Sequence, residues 1–531
     1  MLLALASFAL AATPPDSRTM HDTLLARFEL EVEDADGGSA DPHGPGCRTG
    51  LVLALKENWE LFSPAERARI TGALAPWKQD LAAPTVLARP PAEPGQQATD
   101  SCFGQQKDNR LVGTNFVVEW DDTVSATYAD AFLEALEFSY QREVVELGWR
   151  APLGEGRYLM PAYIESGRAQ GAYTTVDYCA GGYLPYMVAQ SGSWTDASWA
   201  DTMAAHEFNH ALQFGYGFAH EFWWWEATAT YVEDSVYPAS NWWAYYVGGS
   251  TQSPQLAMNA SDQQDQDIFW HMYGMALWAF YLDEYQGGLN TVRGTWETAA
   301  DERGTYVYGQ WDALAEAGID FEDAYIDFTL RNAAMDYPDH RILPEIDTLT
   351  TVRSLPAGDT VSGTSRPQGY GQNYLAVNAG LGEGDLVLDL SSDEGVRWSV
   401  ALVEVSGAQL LRTERVVVDE TGTAQLTLSD YGAEDVMVVV TPLVEGSARR
   451  TYTWGLSLVA PEGVDSGDAP MSDGADDSAD EDAKLAGCAC SAAPGGAPGA
   501  GVGAALAWLA GSTLLARRSG KRANVVATAR S

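Results

Sequence analysis

The 531-residue sequence predicts an α+β fold: a small mixed sheet with site-bearing helices, followed by an antiparallel β-sandwich. Two changes of hydrophobic period carry that expectation. Between about Asn109 and Tyr337, short apolar runs alternate with long helical segments. From about Thr350 to Val459, apolar and polar residues alternate between Gly- and Asp-containing turns. Size is the third observation, because a chain with 46% apolar residues and 18 Trp can bury more than one core.

Residues 1–12, "MLLALASFALAA", read as an export signal that contains the small-residue pattern Ala9-Leu10-Ala11 and lacks a basic start. Residues 13–100 form a leading segment, partly helical. In it Ser63-Pro64-Ala65-Glu66 predicts an N-cap, a Pro at the first helical position and a Glu at the third. The Pro-rich "AAPTVLARPPAEPGQQ" closes it as a linker, a layout that suits a propeptide and a retained subdomain equally.

Residues 101–345 are the expected catalytic domain. "NFVVEW", "RYLMPAYI" and "YLPYMVAQ" read as strands, the last a structural strand or an edge open to an extended peptide. "ATYADAFLEALEFSYQREVVEL" reads as an amphipathic helix. Further helices are expected around His206, from Trp223, through "DIFWHMYGMALWAFYLDEYQG" and through "DFEDAYIDFTLRNAAM". Residues 346–460 supply the sandwich, with strands in "DLVLDLSS", "RWSVALVEV", "AQLTLS", "DVMVVVTPL" and "YTWGLSLV". Residues 461–486 are a low-complexity acidic linker that cannot form a core. Residues 487–531 place a Cys pair before an apolar run that ends at Arg517, Arg518, Lys521 and Arg522, the pattern of a transmembrane segment stopped by positive charge.

The charge balance, 31 basic against 74 acidic residues for a net −43, excludes nucleic acid as a partner, since phosphate recognition needs clustered Lys and Arg. An acidic surface can hold Ca²⁺ but names no substrate. Outside the tail, Cys47, Cys102 and Cys179 allow one disulfide and one leftover thiol, and spacing does not say which.

The chemistry is concentrated in "MAAHEFNHALQFGYGFAHEFWWWEATATYVED", which holds three of the chain's 7 histidines. In His206-Glu207-Phe208-Asn209-His210 the imidazoles lie four apart, so one helix face directs both at one ion. Glu207 sits beside them, placed to take a proton from water. The expected ion is one catalytic Zn²⁺, which takes three protein ligands and leaves a position open. The pattern with Gly at 213 and a third His at 216 is ruled out, because those positions are Gln213 and Tyr216. His220 and Glu226 remain as third-ligand candidates. Glu226 is favoured, since "WWWEATATYVED" reads as a second helix whose small residues allow close packing on the first. Glu233 or Asp234, further along it, can orient a ligand imidazole. His271 and Tyr273 are candidate donors to a developing oxyanion. Trp223, Trp224 and Trp225 cannot all face the core of one helix start; some are candidates to wall a cleft, and simple helix–helix packing is the safer reading. Cys47 is a remote candidate for holding the zinc from a propeptide.

The pairing of His206-Glu207-x-x-His210 with "WWWEATATYVED" resembles the gluzincin metallopeptidases. With "LGWRAP", "YGMALWAFYLDEYQG" and "PQGYGQNYLAV", the chain from about Cys102 into the sandwich is also similar to a family of secreted bacterial zinc metalloproteases. The resemblance implies a zincin-like fold for the catalytic domain and a protein or peptide substrate. It makes His206, His210 and Glu226 the ligands and Glu207 the base. No Gly-x-Met-Glu-Asn stretch precedes the motif, which points to an endopeptidase and away from an aminopeptidase. The tail from Gly487-Cys488-x-Cys490 resembles the MYXO-CTERM sorting tail, implying export, a sorting protease acting near Cys488, and retention at the cell surface. Two other classes compete: a catalytically silent surface binding protein on the same scaffold, and a zinc hydrolase of a non-peptide amide.

Overall fold

A computed structural model describes residues 17–29, 48–74, 98, 100–167, 171–195, 197–217, 222–261, 266–302, 307–339, 341–356, 358–392, 395–420, 422–432 and 434–460. The expected export signal, acidic linker and sorting tail lie outside these residues, as do Cys47 and His220. All described residues belong to one compact unit, which lies within Met1–Asp465. Among them, no helix is long and apolar enough to cross a membrane.

The chain is α+β. The leading segment supplies α1 (Ser17–Phe28), α2 (Thr49–Glu57) and α3 (Pro64–Leu74). The capping box forms as its sequence requires: Ser63 N–H donates to Glu66 Oε2 at 2.7 Å, and Glu66 N–H to Ser63 Oγ at 3.4 Å. Next come β1 (Asn109–Val112), β2 (Phe116–Trp120), α4 (Ala126–Tyr140) with a π-turn over Gln141–Glu146, β3 (Met160–Glu165), β4 (Ala172–Cys179) and β5 (Gly182–Gln190). These strands make one sheet in the order β1-β2-β3-β5-β4, with parallel pairing at its centre and antiparallel pairing at both ends. "YLPYMVAQ" is therefore interior, and the edge belongs to β4, a strand whose run of Thr and Tyr gave no clear alternation.

Both faces of this sheet are covered, which is why β2 is buried at every residue, Glu119 included, and β3 at all but its last. Met160, Ala162 and Ile164 face the helices on one side, where Phe116 meets Phe208 edge-on at 5.2 Å. Tyr163, Tyr173, Tyr186 and Val188 face the leading segment on the other, in a core with Leu24, Phe28, Leu55 and Ile70. Cys102 and Cys179 form the disulfide, which ties the approach to β1 to the end of β4.

The helical part follows as α5 (Ala197–Gln213), α6 (Phe222–Val236), α7 (Trp242–Thr251), α8 (Gln266–Gly274), α9 (Ala276–Tyr285), α10 (Leu289–Glu302), α11 (Val307–Glu316) and α12 (Phe321–Ala334). The single helix expected through "DIFWHMYGMALWAFYLDEYQG" is two, α8 and α9, broken at Met275. Here α7 presses on α8: a Cβ on Gly249 would lie 2.0 Å from Trp270 O, and one on Gly274 would lie 2.3 Å from Ser250 N. Only glycine permits that approach.

The remaining strands are β6 (Thr350–Val352), β7 (Thr360–Ser365), β8 (Asn373–Val377), β9 (Gly384–Ser392), β10 (Trp398–Ser406), β11 (Gln409–Val418), β12 (Thr423–Tyr431), β13 (Asp435–Pro442) and β14 (Tyr452–Val459). They form two sheets, β11-β10-β13-β8-β6 and β12-β9-β14-β7. Val400, Leu402 and Val438 of the first share a core with Leu386, Leu388 and Leu456 of the second. The next residues along, Ala401, Val403 and Val439, face the opposite way and join the helical core. Arg397 pairs with both oxygens of Glu322 at 2.9 and 2.8 Å across that junction.

Candidate metal centre

Helix α5 is buried on every side from Thr202 to Gln213. Ala204, Ala205 and Ala211, fully buried, let the sheet and α6 approach its backbone closely. Its polar residues His206, Asn209, His210 and Gln213 follow helical spacing down one face, so each needs a partner inside the protein. Helix α6 supplies several of them.

One donor atom from each of His206, His210 and Glu226 lies within 4.8 Å of the others. Glu226 Oε2 is 3.2 Å from His206 Nε2 and 3.4 Å from His210 Nε2. Burial acts to raise the Glu226 carboxyl, and only positive charge at the two ring nitrogens, His210's first, would outweigh it and hold the group at about 2. The other nitrogen of each ring is also engaged. His206 Nδ1 lies 2.8 Å from Glu233 Oε1, and His210 Nδ1 lies 2.7 Å from Gln213 Oε1. Burial raises the Glu233 carboxyl, against the pull of its hydrogen bond from His206. Asp234 takes no part there: burial, then Asp339, raises its carboxyl to about 6.

The tautomer of His210 follows from its neighbours. Gln213 Nε2 faces the Trp225 carbonyl at 3.0 Å, an atom that can only accept, so this end of the amide is the NH₂. The opposite end is then the carbonyl oxygen, and His210 Nδ1 must donate to it. That leaves Nε2 of the neutral ring as a lone pair, directed at a carboxylate oxygen. Two acceptors facing each other repel unless a cation lies between them. The donor set therefore fits a metal ion.

Glu207 is fully buried and held at Oε2 by Thr174 Oγ1 at 2.8 Å and Thr49 Oγ1 at 3.2 Å. Thr49 belongs to the leading segment, which follows the free edge of β4. Arg48 N–H donates to Ala172 O at 2.8 Å, Thr174 N–H to Thr49 Oγ1 at 2.7 Å, and Lys56 Nζ to Val176 O at 2.7 Å. One outward-facing backbone group of each of residues 172, 174 and 176 is taken by this one segment.

A small cavity beside the cluster is lined by Trp199, Met203, His206, Glu207, Tyr246 and Tyr273. Tyr273 stacks on His206 with centroids 6.0 Å apart. His271 does not reach the cluster. Its Nε2 bonds Ala257 O at 3.1 Å, and burial lowers its pKa to about 4. The three tryptophans at the start of α6 are all buried, as helix–helix packing requires, and none is left to wall a cleft. Neighbouring helices enclose that helix start: Trp224 Nε1 donates to Thr295 at 3.0 Å, and Trp225 packs between His210 and Trp296 at 6.2 and 5.4 Å.

Sequence reasoning missed Thr49, Thr174, Asn209 and Gln213 as parts of the site. The last two carried a readable signal, the polar stripe 206-209-210-213 at helical spacing on the helix that bears the two histidines. Thr49 and Thr174 carried none, because only the fold brings residues so distant in sequence to Glu207.

The site and fold define an α+β protein with a buried His–His–Glu cluster suited to a metal. No family model matches the chain, and no curated protein matches it. Solved structures resemble parts of it. The mitogen from Yersinia pseudotuberculosis is 17% identical over 20% of this chain and 92% of its own, with a TM-score of 0.16. The periplasmic lysozyme inhibitor PliG of Aeromonas hydrophila is 14% identical over 21% of this chain and 98% of its own, at 0.16. The pre-peptidase C-terminal domain of a Bacillus anthracis collagenase is 11% identical over 22% of this chain and 98% of its own, at 0.15. At such TM-scores none bears on what the chain does.

Proposed function

We propose that the chain is an exported, surface-anchored zinc metalloendopeptidase of the gluzincin type, with a zincin-like catalytic domain. One observation carries the reading: the Nε2 atoms of His210 and His206 converge on one buried Glu226 oxygen, at 3.4 and 3.2 Å. Protons are the competing occupants. Two buried imidazolium rings with centroids 4.8 Å apart would repel one another, and each would bear a desolvation cost. A single divalent cation leaves both rings neutral and balances Glu226 and Glu233. A His₂Glu set with one position open to water suits catalytic zinc.

Bound there, zinc would polarise a peptide carbonyl and lower the pKa of water. The protein's own groups supply the rest. Glu207 accepts the proton of the attacking water and passes it to the leaving amine, with Thr49 and Thr174 fixing its rotamer. Tyr273, stacked on His206, is the residue to which we assign donation to the charge that develops on the carbonyl oxygen. His271, committed to Ala257, drops out of that role. Glu233 and Gln213 hold the two imidazoles in register. Export and anchoring are supported by the leader and tail in the sequence, the tail being the site for a sorting protease near Cys488.

The test compares the purified chain with Glu207→Gln in metal analysis and in digestion of casein and a peptide mixture, with and without chelator. The expected result is zinc in both proteins, chelator-sensitive cleavage by the native chain, and a loss of about 10²–10⁴-fold in the variant. Zinc with no cleavage of any substrate would make the chain a silent binding scaffold. Cleavage confined to non-peptide amides would make it a different hydrolase.

A further inference from the structure

Helix α4 buries Ala129, Phe132, Leu136 and Ser139 on one stripe, and the next position of that stripe is Glu143 in the π-turn. Its side chain is fully buried, and burial pushes its carboxyl well above the usual range. Glu143 Oε2 accepts from Asn209 Nδ2 at 3.1 Å, while Oε1 has no hydrogen-bond partner among the described residues. An apolar side chain would fill this place without any desolvation cost. The carboxyl is explained by what it accepts.

From Asn209 the bonds run on in one direction. Gln213 Nε2 donates to Asn209 Oδ1 at 2.9 Å, and His210 Nδ1 donates to Gln213 Oε1 at 2.7 Å. Every donor in this chain points toward Glu143. An Asn209 amide turned over would set its NH₂ against the NH₂ of Gln213. Relieving that clash by turning Gln213 would present His210 with a donor, move the ring proton to Nε2, and block the metal position.

We propose that Glu143 is a positioning residue for the metal centre: as the terminal acceptor of a buried amide relay through Asn209 and Gln213, it keeps His210 Nε2 bare toward the ion. The two hydrogens of Gln213 Nε2 are shared among Asn209 Oδ1, Trp225 O and Thr228 Oγ1, so the relay has a second support beside Glu143. The polarity survives protonation of Glu143, because a neutral carboxyl keeps a carbonyl oxygen, and glutamine at this position keeps one too. The proposal rests on the metal-centre reading given above, and the experiment separates the two.

Zinc affinity of the full chain is measured by competition with a chromophoric chelator, beside the visible spectrum of the cobalt-loaded protein. The variants are Glu143→Leu, Glu143→Gln and, as a packing control on the same stripe, Leu136→Val. Outer-shell partners of metal ligands are worth about 10–100-fold in affinity, so Glu143→Leu is expected to lose about 10-fold and to alter the cobalt spectrum. Glu143→Gln should stay within about 3-fold, and Leu136→Val should lower the melting temperature while leaving zinc affinity unchanged. Should Glu143→Leu fail to fold, Asn209→Leu cuts the relay at its next link and carries the same expectation. Native zinc affinity and an unaltered cobalt spectrum in the Leu variant would overturn the proposal. A native chain that binds no zinc would overturn the metal-centre reading itself.

Discussion

Lys56 joins the leading segment to the edge strand beside the site, and its replacement by methionine gives a sharp test of that junction. The side chain is 3% exposed, with Nζ donating to Thr175 Oγ1 at 3.0 Å and Val176 O at 2.7 Å. Burial lowers its pKa from 10.5 to about 7. In the unfolded chain the amine stays protonated up to about 10.4. Between those two values the unfolded state binds a proton that the folded state lacks, so stability rises with pH. The slope approaches about 1.4 kcal/mol per pH unit, and the whole window is worth about 5 kcal/mol. Below pH 7 both states are protonated, and the folded chain carries the full burial cost of the ammonium.

Lys56→Met keeps the aliphatic stem and removes the titration. Urea unfolding of both proteins, followed by tryptophan fluorescence at about pH 7, 8 and 9, isolates the lysine as the difference between them. That difference should move toward the native protein by about 1.4 kcal/mol for each unit of pH. A difference that stays flat would mean that Lys56 remains in water, and that the leading segment is not seated on β4.

The other predictions concern the site and its packing. Thr49→Val removes the hydroxyl shared by Thr174 N–H and Glu207, and should cost about 1–3 kcal/mol in thermal unfolding while kcat falls and KM holds; an unchanged melt would show that the contact is absent. Stripping the metal should lower the melting temperature, and zinc restored at 100 times its Kd should return about 2.7 kcal/mol that magnesium does not; equal melts with and without zinc would refute a bound ion. Trp225→Ala empties the space between His210 and Trp296 and should cost about 3–5 kcal/mol in urea unfolding; a loss under about 1 kcal/mol would deny it that packing role.

Much of the site was legible because its information is local. The His206–His210 spacing is a property of one helix turn, and Glu226 lies on the next helix, within reach of the same face. Glu233, two turns along α6 from Glu226, was also readable from helical spacing. The choice between Glu233 and Asp234 was not, since it depends on how α6 is rotated against α5. For Tyr273 and His271, two residues apart on α8, the same rotation puts one ring on His206 and the other on a backbone carbonyl. Edge and interior strands were harder to tell apart, because a sheet covered on both faces erases the alternation that marks a half-buried strand.

By itself, the sequence determined the α+β class, the sandwich strands, the capping box of α3 and the residues that converge as a candidate metal cluster. Each depends on periodicities or caps within a few turns of chain, where backbone geometry alone sets direction. The tertiary structure alone decided the Cys102–Cys179 pairing, the seating of the leading segment along β4, and the hydrogen-bond relay from Glu143 to His210. These depend on contacts between residues far apart in sequence, and such contacts exist only once the layers have packed and each buried polar group has found its partner.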